Sequence, residues 1–246
     1  MMEAITTFQA LLVTELRKLR RSLVLLPLAI APAVVLLDLV SFLTRNSSVP
    51  AAAAWPVLLI AIGMFYGGLL MPLAIGATAG LACRGEHLAG GWRQAALLPT
   101  SRALQYLAKL LVVLGLVALL QVVTFGLAAL AGGLFMASGG AIPWQLILGR
   151  MVAGWLLSVP IAALQLCLAV RLESFGAQMA IAAMLTIPGL IALHTRYAHY
   201  YFWDQPALAM SGAVGGQVVT PLLVAASAAL VLIVGGFLYF VRRDVA

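Results

Sequence analysis

The chain has 246 residues, of which 64% are hydrophobic and 9% charged, and its formal net charge is +7. Soluble domains carry about 25% charged residues, so this composition cannot furnish a solvated surface. Disorder, which requires low hydrophobicity, is excluded by the same figures.

Residues 1–21 are too polar to cross a bilayer. Ile5, Phe8, Leu12, Leu16 and Leu19 recur at three- and four-residue steps, with Thr6, Gln9, Thr14, Arg17 and Lys18 on other faces. That pattern predicts an amphipathic helix lying in the membrane interface. A cleavable signal ending at Ala29 to Ala31 is the other reading of the segment. Its apolar run, however, outlasts the usual signal core of about 7 to 15 residues.

A helix needs about 20 apolar residues to cross the hydrocarbon. Residues 22–44 form one such run, interrupted by Asp38, and residues 57–82 a second without charge. The uncharged stretch 110–149 is too long for one helix, and the Gly- and Pro-containing segment 136–143 splits it. A third span then ends near Leu134 and a fourth starts near Trp144 or Met151. Residues 175–193 and 219–241 give a fifth and a sixth. The fold class is an all-α polytopic membrane protein, one transmembrane domain over residues 1–246.

Placing the N-terminus inside puts eleven of the fourteen Lys and Arg residues on the inner side, leaving Arg45, Arg150 and Arg196 outside. Both termini are therefore expected in the cytoplasm. Asp38 lies about four turns into the first span, where an acid is costly. Arg45, two turns on along the same face, is one candidate partner, and a place in a substrate path is the other reading. Gly63, Gly67, Gly68, Gly76 and Gly80 form small-residue ridges that suit close packing, within the chain or between two copies.

The inner loop 83–102 is the most informative. Gly85 is expected to release the second span, Glu86 to open a surface helix, Pro99 to stop it and Ser101 to cap the third span. Residues 86–98 would then lie along the membrane and present Glu86, His87, Trp92 and Arg93. The outer loop 194–218 concentrates Tyr197, Tyr200, Tyr201, Phe202 and Trp203 beside His194, His199 and Asp204. Tyr200, Tyr201 and Trp203 are candidates for shaping a substrate exit, or else an interfacial aromatic belt.

Nowhere does the sequence contain G-x-x-x-x-G-K-[ST], H-E-x-x-H or G-x-S-x-G. Cys83 and Cys167 lack metal or disulfide spacing. Any energy used must come from a partner.

The order Glu86, Gly90, Gly91, Trp92, Arg93, Pro99, Ser101, Arg102, Tyr106, Lys109 resembles the permease subunits of ABC-2 type transporters, especially the lantibiotic-immunity and bacitracin-export groups. The fourth-span exit, from Leu164 to Arg171, Glu173 and Phe175, is similar as well. This resemblance implies the ABC-2 exporter fold, with residues 1–21 as an elbow helix and 83–102 as a coupling-helix loop. Glu86, His87, Trp92, Arg93, Arg102, Arg171 and Glu173 would face a separate ABC ATPase, present in two copies and binding ATP and Mg. The chain itself would be no enzyme and would hold neither cofactor nor metal. It would work with a second permease, identical or homologous, in a bacterial inner membrane, export an amphipathic peptide, antibiotic or lipid-like substrate, and bind no nucleic acid. The competing reading is a membrane protein without an ATPase, either a secondary carrier or an immunity protein that sequesters its ligand.

Overall fold

The computed structural model describes residues 2–19, 22–45, 51–88, 100–135, 141–212 and 219–242, and these are helical apart from short connections. Among the described residues, six helical segments are long and apolar enough to cross a membrane. Helix α1 (Met2–Leu19) precedes the first span, α2 (Leu25–Arg45). The second span is continuous but changes winding: α3 (Ala51–Ile62) passes through a π-helical segment, Gly63–Leu70, into α4 (Met71–Leu88). The third span is α5 (Arg102–Phe135). The fourth comprises α6 (Trp144–Leu157) and α7 (Val159–Arg171), broken at Ser158, where Pro160 cannot continue the hydrogen-bond ladder. The fifth is α8 (Phe175–Ala192). Two 3₁₀ turns, Ala198–Tyr200 and Phe202–Asp204, then lead into the short α9 (Gln205–Ser211), and α10 (Val219–Arg242) is the sixth span.

The second span is the axis of the bundle. It packs on α2, α7 and α8, and α9 is inserted between its π-helical segment and α6. Every residue of α9 is buried. The insertion explains the first glycine ridge: a Cβ at Gly63 would stand 2.4 Å from the Ser211 amide nitrogen, and one at Gly67 2.8 Å from Ala207 Cα. Gly76 and Gly80 likewise approach α7 and α8 through Gln165, Gln178 and Phe175. Of the two readings of these ridges, packing inside one chain is therefore the one observed. Gly212 closes α9 at φ +76°, a left-handed conformation that favours glycine, with the Arg150 guanidinium directly over it. Arg150 Nη1 donates to the carbonyls of Ala209 (3.3 Å) and Met210 (3.4 Å), so a cation satisfies the end of this helix.

One boundary differs from the sequence reading. Gly85 does not end the second span, because α4 runs on to Leu88. The third span starts at Arg102, just past the expected Ser101 cap: Ser101 Oγ accepts from the Leu104 amide at 3.3 Å, and the charge of Lys109 is compensated inside the bundle.

Candidate functional site

At the end of the bundle where α4 stops and α5 begins, α1 lies across both. Phe8, Leu12 and Leu19 on α1 turn inward, and Glu15 falls on the same stripe, whereas Leu16, expected there, is exposed. Glu15 and Glu86 meet Lys18 and Lys109 in a ring of four charges. Lys109 Nζ stands 2.7 Å from Glu15 and 2.8 Å from Glu86, and Lys18 Nζ 2.5 Å from Glu15 and 2.9 Å from Glu86. Lys109 and Glu86 are buried, 3% and 7% exposed. Burial alone would raise the Glu15 carboxyl, but Lys109 and Lys18 hold it below the ordinary range. Burial would likewise lower Lys18, and Glu86 and Glu15 raise it instead. Two anions and two cations compensate one another where either sign alone would be expensive. The ring ties α1, α4 and α5 into one unit.

Beside the ring, the two inner stretches singled out in the sequence converge. His87 Nε2 donates to the Ala169 carbonyl at 2.8 Å, joining the end of α4 to the end of α7. Arg102 Nη1 donates to the Val241 carbonyl at 3.4 Å, and the Arg171 guanidinium lies 5.7 Å from the Tyr239 ring centre, so α10 ends here as well. The seven described basic residues assigned to the inner side, Arg17, Lys18, Arg84, Arg102, Lys109, Arg171 and Arg242, all belong to this end of the molecule. Glu86 itself needs correction. It sits in the last turn of α4, not at the start of a surface helix, and its carboxylate faces Lys18 and Lys109 rather than outward. Trp92, Arg93 and Pro99 lie outside the described residues. Glu173 is exposed in the α7–α8 turn, which Ser174 closes by accepting from the Ala177 amide at 3.2 Å.

Asp38 is exposed on α2 and forms no ion pair among the described residues. The expected partner, Arg45, is seven residues away, a rise of about 10 Å along the helix, which a short carboxylate side chain does not bridge.

At the opposite end, the aromatic cluster divides. Tyr200 is exposed, but Trp203 is fully buried, and its indole donates to Thr186 Oγ1 at 3.0 Å. Tyr201 is half-buried and donates to the Leu185 carbonyl at 2.7 Å. Of the three proposed exit residues, Tyr200 alone lies on the surface, because the other two anchor the turns on α8. Gln205 holds these turns, its amide donating to the carbonyls of Ala198 (3.2 Å), His199 (3.1 Å) and Tyr201 (2.9 Å). Asp204, next to it, has no exposure and, among the described residues, no hydrogen-bond partner for either carboxylate oxygen, and burial pushes its pKa up to about 7.

Sequence reasoning missed Glu15, Arg150 and the interior amides. Gln178 Nε2 donates to the carbonyls of Gly76 and Gln165, both at 3.1 Å, and so pins α8 to α4 and α7 at mid-bundle. Glu15 had a visible signal in its three- and four-residue spacing from Leu12 and Leu19. The amides had none, since apolar runs tolerate an isolated Gln.

The arrangement is that of a membrane scaffold with one charged, tightly braced end. Among curated proteins, none matches the chain. A family model described as ABC-2 family transporter protein matches residues 11–189, from the inward stripe of α1 through the fifth span. With this match over most of its length and six apolar helices among its described residues, the chain belongs to the ABC-2 family of transporter proteins, as a multi-pass permease subunit of an ABC transporter.

Proposed function

We propose that this permease exports an amphipathic peptide, antibiotic or lipid-like molecule, driven by a separate ATPase that docks on the charged end. The observation that carries the reading is the four-charge ring. It joins α1 to the helices on both sides of loop 89–101, so a push on that loop is delivered to the second and third spans together. Coupling requires an element that contacts both partners and has more than one arrangement. Trp92, Arg93, Arg102 and Arg171 supply the docking surface, with the ATPase in two copies holding ATP and Mg. Glu86 acts from behind, by positioning the loop.

The excess of basic residues at this end supports a cytoplasmic position for it, and for both termini, in a bacterial cell. The exposed Asp38 favours a second permease subunit, since an acid at span depth needs a protein or aqueous neighbour. Export of peptide antibiotics, as in the lantibiotic-immunity and bacitracin groups, is the closest functional analogy. An ATPase-independent carrier would need ionisable groups along the bundle interior. Away from the charged end, the buried polar residues of the described spans are instead Gln121, Gln165, Gln178 and hydroxyl groups.

Trp92→Ala, expressed with the ATPase, tests the proposal. The variant should insert normally yet retain less ATPase on purification, with transport falling by an order of magnitude or more, because truncating an interface Trp costs about 2 kcal/mol or more. Undiminished ATPase retention and transport would contradict docking at this loop.

A further inference from the structure

Two cavities meet at the inner ends of α4 and α8. The larger, about 410 Å³, is an apolar cleft between α2, α4 and α8, walled by Leu26, Ile30, Leu73, Ala77 and Met179 and closed at one end by Arg84 and Phe175. The smaller, about 160 Å³, is polar. Arg84 and Phe175 line it too, together with His87, Glu173 and Gln178. A single path therefore runs from hydrocarbon, past a guanidinium, to a carboxylate.

The charges along this path are not spent on each other. Arg84 and Glu173 are both exposed, line the same notch and form no ion pair with one another or with any other described residue. His87 also borders the notch, but its Nε2 is committed to the Ala169 carbonyl. A guanidinium suits a phosphate, which it can grip through two parallel hydrogen bonds. A carboxylate beyond it suits a cation that donates hydrogen bonds. The complementary ligand carries, in order, an apolar tail, a phosphate and a primary ammonium.

We propose that this composite site binds phosphatidylethanolamine from the adjoining leaflet, with an acyl chain in the cleft, the phosphate on Arg84 and the ammonium on Glu173. Phosphatidylcholine is disfavoured because its quaternary ammonium has no N–H to donate. Phosphatidylglycerol has no cation for Glu173. The inference rests on the two cavities and is independent of the transport reading.

Native mass spectrometry of the full-length chain in detergent, titrated separately with the dioleoyl forms of the three lipids, tests it. Phosphatidylethanolamine should be retained about fivefold better than either competitor, a factor equal to about 1 kcal/mol. Glu173→Gln should abolish that preference while leaving phosphatidylglycerol retention intact. Arg84→Gln should weaken all three lipids, and Arg84→Lys, which keeps the charge but not the paired hydrogen bonds, should restore part of the loss. Ala77→Trp, which fills the cleft, should lower retention of all three without changing their order. Equal retention by the wild type, or an unchanged preference in both Glu173→Gln and Arg84→Gln, would overturn the proposal. Dissociation of a chain dimer by Ala77→Trp with lipid retention intact would also overturn it, since the cleft would then be a subunit seam.

Discussion

Asp204 is a fully buried acid at the outer end of α8, beside Gly189. Gly189 lies so close that a Cβ there would come within 2.4 Å of its Oδ1. With its pKa pushed up to about 7 by burial, the folded chain holds a proton that the unfolded chain has already released. Between the ordinary carboxylate range and pH 7, the folded state therefore binds more protons, so stability falls as pH rises through that window. Each pKa unit is worth about 1.4 kcal/mol, so the full cost above pH 7 is on the order of a few kcal/mol. Asp204→Asn should be more stable than the wild type at pH 8, and its melting temperature should stay flat between pH 5 and pH 8 where that of the wild type declines. Parallel declines in the two proteins would show that Asp204 does not titrate there. The residue is conspicuous in the sequence as part of an aromatic, titratable outer loop. Its burial is not, because that comes from the fold of the 3₁₀ turns onto α8 rather than from any local pattern.

At the scale of elements, the charge ring makes a sharper demand. Removing one member of a buried ion group leaves the others uncompensated, at a cost of about 3 to 5 kcal/mol. Lys109→Met should therefore lower thermal stability in detergent and expose α1 to protease, and adding Glu86→Gln should recover part of the loss. A single variant as stable as the wild type would mean that the ring does not brace α1. The spans themselves were legible, since length and hydropathy suffice to find a helix that crosses hydrocarbon. Their exact ends were not. Gly85 reads locally as a break, yet α4 continues because Glu86, one residue on, is held from outside the helix by Lys18 and Lys109. The π-helical segment was equally hidden. The sequence displays the small residues at Gly63 and Gly67, but only their contact with Ala207 and Ser211 reveals that they seat a helix of the same chain.

For the molecule as a whole, composition established the bilayer as solvent, and the order of motifs from Glu86 to Lys109 pointed to the family that the match over residues 11–189 supports. Less legible was the division of labour at the charged end. Glu86 and His87 face inward and brace the scaffold, so that the docking proposed above falls to the loop residues beyond them and to Arg102 and Arg171. Such a scaffold is useful only if a partner pushes on it. The most direct measurement replaces Trp92 with a photo-crosslinking phenylalanine in the intact complex, in cells, and identifies what it captures. The account predicts a soluble protein carrying a G-x-x-x-x-G-K-[ST] motif. An inserted, transport-competent chain whose position 92 captures only lipid would contradict it.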